Sequence, residues 1–122
     1  MDLRQWIAPV ISALKAAVPF AQVRSASDAT DRLEAVLTRQ ELPRCLELLQ
    51  EAFGPAAKPM GIAAKLDRGV QSAVDEVGGV RNDQGLFLKI GQQQLAYAML
   101  WPWESDKNRV TLRMGVTTAS DQ

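Results

Sequence analysis

Leu86-Phe87-Leu88-Lys89-Ile90, Leu95-Ala96-Tyr97-Ala98-Met99-Leu100-Trp101-Pro102-Trp103 and Arg109-Val110-Thr111-Leu112-Arg113-Met114-Gly115-Val116 decide the fold. Each run is rich in large apolar residues and is bounded by turn residues, the pattern of a β-strand. The middle run holds two of the three tryptophans and the only tyrosine. Gly91-Gln92 suits a two-residue hairpin loop, with Gly at the first central position of a type II′ turn. That pairs Ile90 with Gln93, Leu88 with Leu95 and Leu86 with Tyr97. Across a loop at 104–109, Trp103 is set opposite Val110, Trp101 opposite Leu112 and Met99 opposite Met114. Side chains alternate faces along a strand. One face therefore gathers Leu86, Leu88, Ile90, Leu95, Tyr97, Met99, Trp101 and Trp103 with Val110, Leu112, Met114 and Val116. A slip of one residue would turn the last strand's apolar set to the other face. Pro102 has no N–H to give to a ladder, so it is expected where the first strand has already ended, or at a bulge.

The second face then carries Phe87, Ala96, Ala98, Leu100, Pro102, Thr111 and Arg113. A sheet face open to water is usually polar. This one is small and apolar, so a helix, a second subunit or a ligand is expected to cover it.

Upstream, the spacing changes to that of helices. Leu3, Trp6, Ile7, Val10, Ile11 and Leu14 recur every three or four residues, which predicts an amphipathic helix over about 2–17, capped by Asp2 and kinked at Pro9. Residues 20–24 and 32–37 read as a hairpin that adds two strands to the sheet. Thr38-Arg39-Gln40-Glu41 has the form of a capping box, and it predicts a helix over about 39–53. Leu42, Cys45, Leu46, Leu49 and Phe53 lie on its inner face, and Gly54-Pro55 stops it. A third helix is expected over about 62–77, weakened by Gly69, with its firm part at Asp67 to Val77, and ended by Gly78-Gly79. The fold class is α+β: an antiparallel sheet of about five strands packed on two or three helices. Residues 1–122 form one domain, with a polar tail after about 117.

Composition narrows the function classes. The chain has 122 residues, 47% hydrophobic and 23% charged, with zero net charge. That suits a globular domain with a real core. An extended basic track for nucleic acid is not favoured, nor is a polybasic membrane-surface segment. No apolar run is long enough to span a membrane. Residues 1–21 are interrupted by Pro9 and Lys15 and do not read as a signal peptide. A single cysteine permits no intrachain disulfide, which fits a reducing, cytoplasmic setting. There is no histidine, so Ser-His-Asp and Cys-His nucleophilic sites within the chain are ruled out, and imidazole metal ligands are missing.

The candidate sites are weighed against plainer roles. Cys45, with no histidine to activate it, reads as a small buried apolar residue. The acidic groups Asp75, Glu76 and Asp83, and Glu104 and Asp106, lack the spacing of a calcium loop and read as solvated surface. No metal and no cofactor is expected. Trp103, at a strand end, is the better recognition tryptophan, while Trp101 reads as core. The loop 78–85 offers Arg81, Asn82 and Asp83 but lacks the strand–loop–helix order of a phosphate loop.

Three functions remain. The first is a non-enzymatic interaction module (a homodimer or a small adaptor or chaperone-like subunit), binding itself or another protein through Phe87, Ala96, Ala98, Leu100 and Arg113. The second is a small-molecule-binding domain with a pocket near Trp103 and the 78–85 loop. The third is an enzyme that works without histidine.

Overall fold

Asp2 opens the first helix: its carboxylate accepts from the Arg4 amide, and the chain turns into α1, Leu3–Ala17. The cap satisfies one of the four N–H groups that a helix start leaves without a partner. Leu3, Ile7, Ile11 and Leu14 are buried at helical spacing. Pro9 lies within the helix on its exposed side, so the apolar stripe passes it without changing phase. The structure is a computed structural model that describes residues 2–63 and 65–118.

After α1 come β1 (Gln22–Val23), β2 (Leu33–Thr38), α2 (Leu42–Phe53), α3 (Arg68–Glu76), β3 (Gly85–Ile90), β4 (Gln94–Pro102) and β5 (Arg109–Thr118). The strands form one five-stranded sheet in the order β1-β2-β5-β4-β3, and every neighbouring pair is antiparallel. The class is α+β, as the sequence predicts, and the hairpin of residues 20–37 joins the sheet through β2 and β5. No described helix is long and apolar enough to cross a membrane.

Three local expectations need correction. The capping box does not cap. Thr38 is the last residue of β2, and the turn that follows, with the Glu41 amide bonded to the Thr38 carbonyl at 3.0 Å, delays α2 to Leu42. Pro43 thereby falls in the first turn, where no N–H is needed. The third helix is confined to the firm part of its expected range, Arg68–Glu76 between the caps Asp67 and Val77, and Ile62 is exposed. Thr117 and Thr118 belong to β5 rather than to a tail, and the rest of the expected tail lies outside the described residues.

The register differs from the expected one twice. In the first hairpin Ile90 stands opposite Leu95, Leu88 opposite Tyr97 and Leu86 opposite Met99. The turn sits one residue later than Gly91-Gln92, with Gln93 in the left-handed region at φ 59°. This is a shift by an even number of positions, so the faces of β3 and β4 survive. In the second hairpin Trp103 pairs with Arg109, and its amide bonds the Arg109 carbonyl at 3.0 Å. Pro102 therefore faces Val110, Leu100 faces Leu112 and Met99 faces Arg113. Asp106 explains the shorter loop. Its carboxylate accepts from the Asn108 amide at 3.0 Å and from Arg109 Nε at 3.1 Å, which draws Arg109 into the ladder. The one-residue slip moves Val110, Leu112 and Met114 to the face of Phe87, Ala96, Ala98 and Leu100. Thr111 and Arg113 move to the face of Met99 and Trp101. Pro102 lies past the start of β3, as its missing N–H requires.

Two cores result, one on each side of the sheet. The larger joins Ile7, Ile11 and Leu14 of α1, Cys45 and Leu49 of α2, and Leu33, Ala35, Leu37, Phe87, Ala96, Ala98, Leu100, Leu112 and Met114 of the strands. Alanines on β4 leave room for the helices, and the larger residues of β2 and β5 fill the rest. On the other side Ala73 and Val74 of α3 lie on Leu86, Leu95, Tyr97 and Met99.

Candidate functional site

β5 outruns its neighbour. Leu33, the first residue of β2, stands opposite Met114, so residues 115–118 have β4 on one side and no described strand on the other. The chain between β1 and β2 borders this notch, and Arg4 of α1 closes another side. The result is a recess of about 550 Å3 lined by Arg4, Arg24, Arg32 and Arg113, by Asp31 and Glu34, and by Tyr97 and Gly115. Arg4 pairs with Asp31 at 3.7 Å and Arg113 with Glu34 at 3.8 Å. Arg24 and Arg32 have no carboxylate partner among the described residues. Four guanidinium groups against two carboxylates leave a local surplus of two positive charges in a chain whose net charge is zero.

Tyr97 forms the floor. It is 8% exposed. Its hydroxyl lies 2.7 Å from where a Cβ of residue 115 would stand, so the ring reaches the notch because residue 115 is glycine. Among the described residues the hydroxyl makes no hydrogen bond. Burial pushes the phenol above its ordinary range, the Arg113 guanidinium opposes that, and the Glu34 carboxylate adds to it. At neutral pH the group is a protonated donor.

Arg113 links this recess to the tryptophans. Its guanidinium lies 5.6 Å from the centre of the Trp101 ring, and Nη1 donates to the Val77 carbonyl at the end of α3 at 3.3 Å. Trp103 is half-buried, and its Nε1 donates to Thr111 Oγ1 at 2.8 Å. The guanidinium groups of Arg24 and Arg109 lie 5.7 and 5.8 Å from its ring centre. Such contacts contribute about 0.5–1 kcal/mol each at exposed sites.

The expected sites are not brought together. A second recess of about 480 Å3 is lined by Gly78, Gly79, Arg81, Gln84 and Trp101, without Trp103. Asn82 and Asp83 do not line it. Asn82 works through its carbonyl, which accepts from Lys58 Nζ at 2.7 Å, and Asp83 pairs with Arg81 at 3.8 Å. Lys58 is buried and also donates to the Gln84 carbonyl at 2.6 Å, and its backbone bridges Leu86. Burial lowers its pKa, and Asp83 counteracts that. The loop 78–85 is thus tied down from the connector between α2 and α3.

The proposed contact surface of Phe87, Ala96, Ala98 and Leu100 is corrected. All four are buried beneath α1 and α2, in the larger core. Arg113 lies on the opposite face, because the second hairpin pairs one residue away from the expected register. Among the described residues no three acidic or thiol groups converge as a metal site. The groups with shifted pKa values, Asp2, Cys45, Lys58 and Tyr97, sit apart, and only Tyr97 lines the recess.

Sequence spacing had singled out none of Arg4, Arg24, Arg32, Glu34 or Tyr97 as site residues. They come from α1, the strand ends and β4, so no local motif contains them. No family model matches the chain, and no curated protein or solved structure matches it significantly.

Proposed function

We propose that the chain is a non-enzymatic binding module that takes a small anion in the recess at the start of β2. One observation carries this: four arginines converge on a single concavity with only two carboxylates to balance them. A guanidinium is always charged and matches carboxylate and phosphate oxygens in fork geometry. The volume suits a small organic ligand rather than a bare ion. A polyanion such as nucleic acid would call for an extended basic track, and the surplus here is confined to one notch.

Trp103 reports on the site through Arg24. Titration of the protein with succinate and with inorganic phosphate, followed by tryptophan emission and by calorimetry, tests the proposal. Saturable binding is expected in the wild type. In a variant carrying Arg24→Gln and Arg32→Gln it should weaken about tenfold or more, since each lost charged hydrogen bond is worth roughly 1.5–3 kcal/mol. A wild type that binds neither anion defeats the proposal.

A protein-interaction role is the second reading, and Trp103 favours it. A half-buried tryptophan between two arginines has the composition of an interface hot spot. Capture of a partner from the native host, with Trp103→Ala as control, tests it; equal capture by both proteins removes it.

A further inference from the structure

We infer that the Tyr97 hydroxyl supplies the hydrogen bond that selects the ligand, so that the recess takes an oxyanion head group, carboxylate or phosphate, seated at its floor beside Arg113. This rests on the anion-binding role proposed above and names what that site recognises.

Three observations converge on it. The Tyr97 side chain is 8% exposed, but its hydroxyl is not among the buried polar atoms left without a partner in the described residues, which are Ser25 Oγ and Trp101 Nε1; the oxygen opens onto the recess and makes no hydrogen bond to the described residues. Such a hydroxyl is free to donate to a molecule in the recess. It lies over Gly115, in the lining of the recess, where no side chain of residue 115 obstructs it. Arg113 lines the same recess and is itself held by Glu34, Trp101 and the Val77 carbonyl, so that charge is already positioned. A phenol donor beside a guanidinium favours an acceptor oxygen that carries negative charge. The arginines alone would attract any anion. The hydroxyl adds a directional contact that only an oxygen acceptor of the right reach can use.

Succinate and inorganic phosphate separate the two sources of such an oxygen. Both are titrated into the full chain as wild type and as Tyr97→Phe. The substitution removes only the hydroxyl, which has no partner to lose, so the fold should hold; a thermal melt checks this. Binding of at least one anion that weakens about tenfold in Tyr97→Phe is the expected result, and the anion showing that loss is the head group the site reads. Undiminished binding in Tyr97→Phe overturns the inference and leaves the anion-binding role standing. Absence of binding in the wild type defeats both.

A second measurement guards against a merely structural effect. Tyr97 is the only tyrosine, so its ionisation can be followed by near-ultraviolet absorbance. An anion bound at the hydroxyl should move the phenol's titration to higher pH. A titration curve unchanged at saturating anion overturns the inference.

Discussion

Cys45 shows how context sets the chemistry of a single residue. It lies on the inner stripe of α2 and is fully buried. Burial pushes its thiol from the ordinary 9.0 up to about 12. The folded chain therefore keeps a proton that the unfolded chain begins to release near the ordinary value. This group's contribution to stability is complete below about pH 9 and is lost as pH rises toward about 12. The urea midpoint should fall over that window, and the fall should be shallower in Cys45→Ala. Tyr97, also raised by burial, acts in the same direction above its ordinary 10.0, so a residual slope is expected. An identical slope in the variant would mean that the thiol is not held protonated by the fold. The absence of histidine marked Cys45 as inert, and the inner stripe of α2 marked it as buried; both come directly from the sequence. Tyr97 did not yield in the same way. Its role depends on Gly115 lying opposite it, and the expected register, with Met99 opposite Met114, stands one residue away from the observed pairs Met99–Arg113 and Tyr97–Gly115.

At the scale of elements, periodicity located nearly everything and pairing was the harder question. The three C-terminal strands, the N-terminal hairpin and the helices all stand close to where their spacing puts them. The slip of β5 was not readable, because both faces of β4 accept it. Alanines beside Leu100 present a plausible covered surface, and so does the row Tyr97, Met99 and Trp101. What decides is tertiary. Two amphipathic helices need one large apolar surface, and only the slipped register adds Val110, Leu112 and Met114 to Leu33, Ala35 and Leu37 beneath them. Asp106 then fixes the loop length from within. This assigns Leu100 to the core, with a measurable consequence. Leu100→Arg places an unpaired charge where the native side chain is fully buried, at a cost of about 3–5 kcal/mol. Against a total stability of roughly 5–15 kcal/mol, the circular dichroism spectrum and urea midpoint should report a protein largely unfolded or close to it. Ile90→Arg, on the exposed end of β3, is the matched control and should change the midpoint little. If the two variants prove equally stable, α1 and α2 do not cover this face.

For the whole molecule, the placement of the helices also removes the reason for expecting self-association. That expectation rested on a small apolar sheet face awaiting a cover, and α1 and α2 of the same chain supply it. The opposite face is shared between α3 and the recess. The exposed large apolar residues, Val23, Ile62 and Ile90, belong to three different segments, namely β1, the connector before α3, and β3. A contiguous patch of several hundred Å2 is what usually marks an interface, and scattered side chains are ordinary surface. Light scattering over a dilution series should therefore give the mass of one chain, 13.4 kDa, at every concentration. One feature of the sheet opposes that outcome. Among the described residues Lys58 bridges β3 only at Leu86 and nothing pairs with the edge from Leu88 to Ile90, and open edges can pair with a second copy. The charged Lys89 and the shortness of that edge work against such pairing. A dimer that survives dilution, and that Ile90→Lys dissociates, would show that the edge prevails. The arginine-lined recess, at the start of β2, would then occur twice in the assembly.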